Sequence, residues 1–339
     1  LRGSRDGFVE TLVCNAALLR RRIRDNRFSM EMYTVGERSR TDVAVCYIDD
    51  KVDKKLLQRI ENLISSIEVE ALTMNIESLA ECMFKGKWIN PFPKYKYSER
   101  PDTAAAALFD GNIVIMVDTS PAVMIIQTNV FDIIEEADDF NFSPMIGTYI
   151  RLSRYIVTIA SLFITPIWLL ALKYPSYIPE VFAFIVPSDP INIPIFWQLM
   201  ILELAIDGLR LAAINTPNML STPLSIIGAI VLSDFAVQSG WFISEAMLYM
   251  AFVAIANYSQ PSYELGYAVK FMRIMILVLT EVFGIYGFIA GIVLTFIIMV
   301  CTKTISGKSY LYPLIPFNRK EFYRKIVRTR AAANGNIKK

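Results

Sequence analysis

The hydrophobic pattern changes character near residue 150. Before it, short apolar runs alternate with charge. Between 8 and 24, Phe8, Leu12, Ala16, Leu19 and Ile23 recur every three to four residues and predict a helix. Residues 42–48 (DVAVCYI) predict a strand, and 51–65 a helix. Residues 66–72 (SIEVEAL) alternate as a second strand, and 76–84 predict a short helix, so that 42–84 reads as a β-α-β unit. After Trp88 a loop rich in Pro, Tyr and charge leads to a weak helix at 103–109. Two β-rich runs, 112–118 and 122–126, flank the turn signal Thr119-Ser120-Pro121. The expected fold of this part is a soluble α/β region, either one body or two subdomains meeting near 85–95.

Beyond 150 the apolar runs lengthen to 155–173, 195–214, 219–238, 241–257 and 270–300. A membrane span needs about 20 apolar residues, so these predict an α-helical multipass transmembrane bundle. A sixth run, 178–187, is bracketed by prolines and too short to span, which suits a re-entrant or interfacial segment. The 270–300 run exceeds one span, and Gly284, Gly287 and Gly291 are places where it could break. The number of crossings is five or six, six if 178–187 joins a broken span or 270–300 bends into two.

Charge sharpens this division. Of 66 charged residues only 14 fall in 151–302, while residues 303–339 carry a net +9. The expected domains are therefore a cytosolic α/β domain (1–150), a transmembrane domain (151–302) and a basic cytosolic tail (303–339). Arg151 and Arg154 before the bundle, and the basic tail after it, place both termini in the cytosol by the positive-inside rule. The apolar share is 54% and the mean hydropathy +0.41. The overall net charge of +2 gives no reason to expect nucleic acid as a partner. The chain opens on Leu1-Arg2-Gly3 and reads as a fragment, with no signal-type apolar segment in its first 30 residues.

Candidate chemistry is sparse. With no histidine, Ser-His-Asp and Cys-His sites and histidine-ligated zinc or haem are excluded. Cys14, Cys46, Cys82 and Cys301 form no C-x-x-C pair and read as free thiols. Walker, G-x-G-x-x-G and H-E-x-x-H motifs are missing, so neither enzyme activity nor a cofactor is expected. The run Arg20, Arg21, Arg22, Arg24, Arg27 suits an anionic surface or a solvated helix end. Glu99 and Asp102 flank Arg100 and read as an ion-paired turn.

The informative residues are the charges inside apolar runs: Glu203, Asp207, Arg210, Asp234, Glu245 and Glu281. An ionisable group mid-bilayer costs about 2.5–3.5 kcal/mol on insertion scales. Glu203, Asp207 and Arg210 share one helix face, where one acid can pair with Arg210 and the other is left over. Asp234 and Glu245 flank a short link, and Glu281 lies mid-run. Such a seam either lines a path for ions or a small solute, or binds helices together as buried ion pairs.

Several motifs in fixed order carry a resemblance. They begin with Arg2-Gly3-x-Arg5-Asp6-Gly7-Phe8, Asn15 and Leu19-Arg20-Arg21-Arg22-Ile23. Phe92-Pro93, Glu99-Arg100-Pro101-Asp102, Gly111-x-Ile113-x-Ile115-x-Val117-Asp118 and Asp138-Asp139-Phe140 follow. Leu209-Arg210, Pro217, Ile227-Gly228, Pro261, Tyr312-Pro313 and Pro316 complete the series. Nearly the whole chain resembles the spore germination receptor A-subunit family, and ELAIDGLRLAAINTP is similar to a sporulation-protein branch of it. Asp207-Gly208-Leu209 departs from the family's usual Arg-Glu-Ala. The resemblance implies an integral protein of the spore inner membrane with a cytosolic α/β region. It further implies a part in germination and in ion or solute release, as an ion-channel-type or channel-supporting subunit. Membrane lipids, other germination membrane subunits and further copies of the chain are its expected partners. A secondary transporter and a non-conducting scaffold are the rival expectations.

Overall fold

In the computed structural model the described residues are 4–84, 90–188, 190–215, 236–302, 304–307 and 309–328. The chain divides into two compact units, residues 1–153 with 298–339, and residues 154–297.

The first unit is built on one five-stranded sheet in the order β1-β2-β4-β5-β3, with every neighbouring pair antiparallel. Its strands are β1 (Phe28–Val35), β2 (Thr41–Ile48), β3 (Lys96–Ser98), β4 (Ile113–Val117) and β5 (Val123–Ile126). Successive side chains on a strand face opposite ways, and both faces of the central strands are covered. Val43, Val45, Ile113, Ile115 and Met124 pack against α2 (Lys54–Ser65) and α3 (Asn75–Met83). Ala44, Cys46, Val114, Met116 and Ile125 pack against α1 (Leu12–Arg22) and α4 (Pro101–Phe109). Burial on both faces explains why β4 and β5 read as unbroken apolar runs.

Three expectations change here. The β-α-β unit does not form, because β2 pairs antiparallel with β4 and 66–72 is not a strand. The alternation of 66–72 comes from Ile67, Val69 and Leu72 packing on the core. Its Val69 and Glu70 carbonyls accept from the turn after β1, from Glu37 N at 3.0 Å and Arg38 N at 2.9 Å, and Ser66 N and Ile67 N donate back to α2. Strands before and after 85–95 share one sheet, so this region is a single body rather than two subdomains. Finally, β1 and β3 are edge strands that the apolar pattern did not reveal, as both are mostly half-exposed.

The C-terminal segment completes this unit. Ile305 enters the sheet core, Tyr310 O accepts from Val130 N at 3.1 Å, and Asn90 Nδ2 donates to Thr302 Oγ1 at 2.6 Å. The short helix α5 (Val130–Ile134) carries an Asn129/Asp132 capping box.

The second unit is helical. It contains most of α6 (Pro144–Lys173), α7 (Ile195–Asn215), α8 (Ser244–Tyr258) and most of α9 (Tyr263–Cys301). The apolar run 219–238 lies outside the described residues up to 235. Among the described residues, α6 and α9 are long and apolar enough to cross a membrane. The 178–187 run forms a 3₁₀ segment at Glu180–Ile185, whose Ile185 carbonyl accepts from Trp168 Nε1 at 2.9 Å. Gln198, buried, accepts from Ile243 N at 2.9 Å and ties α7 to the start of α8.

Helix α9 is a hairpin. Gly284 has φ 59° and ψ −133°, a backbone state that a side chain would strain. Gly291 then stands against Ile276, where a straight helix would hold the two about 22 Å apart. A methyl group on Gly287 would lie 1.8 Å from Leu279 O, and one on Gly291 3.1 Å from Ile276 Cα. The two arms approach as closely as small residues allow.

Candidate functional site

The second unit buries a charge cluster between α6, α7 and α9. Glu203, on α7, is 4% exposed; Lys270 and Arg273, on α9, are 5% and 1% exposed. Arg273 donates from Nε to Glu203 Oε1 at 2.7 Å, with Nη2 2.6 Å from the same oxygen. Its Nη1 donates to Ser161 O on α6 at 3.0 Å. Lys270 Nζ lies 3.5 Å from Glu203 Oε2, donates to Glu203 O at 3.3 Å, and also pairs with Asp207. Two acids one turn apart on α7 thus meet two bases three residues apart on α9. Burial of this kind is tolerated only when each charge finds a partner.

Arg210 does not serve as their partner. It is buried, and its guanidinium carbon sits 5.5, 4.6 and 5.1 Å from the ring centres of Tyr258, Tyr263 and Tyr267. This is an aromatic cage for a permanent cation. Removing Arg210 therefore does not strand the two acids; removing Lys270 or Arg273 would.

The other expected seam residues stand apart. Glu281, in the middle of its apolar run, sits near the Gly284 turn, 2.9 Å from Lys173, whose Nζ also donates to Thr280 O at 3.3 Å. Glu245 lies in the first turn of α8, where the helix dipole favours an acid. Its Oε2 has no hydrogen-bond partner among the described residues. Asp234 lies outside the described residues. Lys270 and Arg273 are the residues that sequence reasoning missed. The signal was present as two bases at i, i+3 opening the last apolar run, equal in number to the acids on α7.

The motif residues of the first unit hold its N-terminal arm. Arg2 lies outside the described residues. Asp6 pairs with Arg21 and, at 3.4 Å, with Arg22. Buried Asn15 clamps Val9, accepting from its N–H at 2.8 Å and donating to its carbonyl at 2.6 Å. The Glu99 carbonyl accepts from Phe8 N at 2.8 Å, Pro93 is buried, and Pro101 opens α4. Arg100 reaches Asp102 at 2.8 Å and Asp138 at 2.7 Å. Burial pushes the Asp102 carboxyl up, but Arg100 more than offsets it and holds the group below the usual range. Within the arginine run, Arg20 donates to the Asp25 and Phe28 carbonyls, and Arg27 pairs with Asp25 and Asp50. All four cysteines are free.

A family model described as "Bacillus/Clostridium GerA spore germination protein" matches residues 1–336. Over 329 residues the chain is 41% identical to "Stage V sporulation protein AF" of Bacillus subtilis (strain 168), covering 97% of this chain and 66% of that protein. It is 29% identical over 325 residues to "Uncharacterized membrane protein YfkQ" of the same organism, covering 95% of this chain and 63% of that protein. The chain thus spans just under two thirds of the length of these relatives. The N-terminal domain of the A subunit of the Bacillus megaterium spore germinant receptor GerK3, seen in a crystal structure, is 30% identical. That match covers 35% of this chain and 94% of that one, with a TM-score of 0.29.

Proposed function

This chain belongs to the GerA family of spore germination proteins, and on that premise we propose that it is a multipass protein of the spore inner membrane acting as an ion-channel-type or channel-supporting subunit, without catalysis of its own. The observation that carries this reading is the buried charge cluster. Five ionisable side chains, Glu203, Asp207, Arg210, Lys270 and Arg273, sit within apolar helices. In lipid such groups must face protein or water. The α9 hairpin supports the topology, since a last run that doubles back at Gly284 turns the five apolar runs into six crossings, an even number. Both termini then lie in the cytosol, and the α/β unit is available to other germination membrane subunits and to further copies of the chain.

Full pairing of Glu203 and Asp207 favours a second reading, a non-conducting scaffold whose helices are fastened by these charges. Flux of ions from liposomes containing the purified full chain separates the two. The channel reading expects protein-dependent release above that of empty vesicles. Folded protein with no release supports the scaffold, and saturable, solute-coupled flux supports a transporter.

The topology has its own test. Cys301 is a free, exposed thiol at the end of α9. In intact cells an impermeant thiol reagent is expected to leave Cys301, and a tail cysteine introduced by Gly335→Cys, unlabelled until the membrane is opened. Labelling of either from outside rejects cytosolic termini.

A further inference from the structure

In the first unit, a cavity of about 440 Å³ is lined by charges of both signs, Arg151 and Glu321 among them. Asp110, Asp132 and Glu135 come from the α/β layers, and Arg324, Lys325 and Arg328 from the C-terminal segment. That segment contains the helix α10 (Arg319–Ile326), which buries none of its residues fully. Half-buried Phe322, Ile326 and Val327 give it a thin apolar contact, Phe322 meeting Phe131 at 6.0 Å, and ion pairs add the rest. Lys325 pairs with Asp132 and lies 3.5 Å from Glu135. Arg328 donates from Nη2 to Phe140 O at 2.7 Å and from its backbone N to Thr148 Oγ1 at 3.1 Å.

The same charges grip the base of α6. Arg151, on its second turn and 1% exposed, lies 2.6 Å from Glu135 Oε1 and 3.5 Å from Asp139 Oδ2. Its Nη1 also donates to the carbonyls of Arg324 (3.3 Å) and Lys325 (3.2 Å) on α10. One guanidinium thus joins the α/β layers, α6 and the C-terminal helix, beside a cavity that admits water and ions.

We propose that residues 319–328 form an ionic clasp over the base of α6, whose opening is set by ionic strength. Solvent reaching the pairs through the cavity screens them, and an apolar seal is too thin to hold α10 once they weaken. The groups facing Lys325 are Asp132 in the first turn of α5 and Glu135 at its end, Asp110 beyond α4, Arg151 on α6, Lys96 on β3, and Glu321 and Arg324 on its own helix. Burial alone would depress the Lys325 ammonium, but the carboxylates outweigh it and hold its pKa above that of an ordinary lysine. A raised lysine pKa keeps the ammonium charged through neutral pH, so that on the alkaline side the pairing is released only past the lysine range. Salt, not pH, is the working variable.

The test is hydrogen–deuterium exchange of the full chain in nanodiscs of neutral lipid. Between about 0.1 M and about 1 M KCl the screening length falls from about 10 Å to about 3 Å. Exchange over 319–328 is expected to quicken by about tenfold across this range, while β4 keeps its protection. In the double variant Asp132→Asn/Glu135→Gln the clasp is expected to exchange at low salt about as fast as the parent does at about 1 M KCl, roughly tenfold above the parent at low salt, and to lose its salt response. Exchange indifferent to salt, or equal in parent and variant at low salt, overturns the proposal. So does salt-quickened exchange that spreads to β4, because the unit would then be unfolding as a whole. If the variant does not fold, the salt series on the unmodified protein still decides.

Discussion

Gly287→Ala is expected to abolish accumulation of folded protein. The added methyl would lie 1.8 Å from Leu279 O, and a backbone oxygen cannot turn aside as a side-chain end can. The two arms of the α9 hairpin must separate, uncovering the packing along Gly287, Gly291 and Thr295. Overpacking of a well-filled core costs about 1–3 kcal/mol, and this clash is at the upper end or beyond. Gly208→Ala is the control. Nothing lies within 4 Å of a methyl group there, and alanine gains about 1 kcal/mol over glycine in a helix interior. Immunoblots of membrane fractions and thermal melts of the solubilised protein compare the two. A Gly287→Ala protein that melts like the parent would disprove the hairpin contact.

The second large effect is at Arg273. Arg273→Met leaves Glu203 buried with only the more distant Lys270 nearby, and breaking a buried pair in this way costs about 3–5 kcal/mol. Adding Glu203→Leu to the same chain is expected to restore much of the lost stability, since apolar replacement of a whole pair is often neutral. Arg210→Met should be milder. It strands no acid, and the methionine that replaces the guanidinium still packs among the rings of Tyr258, Tyr263 and Tyr267. Melting temperatures of the three proteins rank these effects. A severe Arg210→Met beside a benign Arg273→Met would reverse the assignment of partners.

The order of severity turns on what the sequence could express. One-dimensional spacing put Glu203, Asp207 and Arg210 on one face of α7, and they do belong to one helix. It could not say that the bases for the two acids stand some 65 residues later on another helix, because such pairing follows from tertiary contact. Helix periodicity located α2 and α3 to within a few residues, and continuous apolar runs located β4 and β5. Period-two alternation at 66–72 misled, since a segment lying over a core alternates as a strand does without a strand's hydrogen bonds. Strand β1 carries Glu31 and Thr34 at a sheet edge, so it lacked the apolar content that marks buried strands. The glycines of the last apolar run gave the break in α9, because only glycine accepts the backbone state found at Gly284.

The first unit is sewn from both ends of the chain, and this has a consequence for its biosynthesis. A ribosome delivers residues 1–153 first, and with them the sheet and the helices on its two faces. Ile305, Tyr310 and α10 emerge only after 154–297 have been made. At about 5–20 residues per second that interval is roughly 7–30 s. Throughout it the nascent sheet exists without its last core residue and with the carboxylates of Asp132 and Glu135 unmet by Lys325. Completion of the α/β unit therefore reports that the helical segment has been synthesised to its end. A chain stopped short of residue 298 would carry an unfinished N-terminal unit, open to quality-control proteases, however well its sheet had formed.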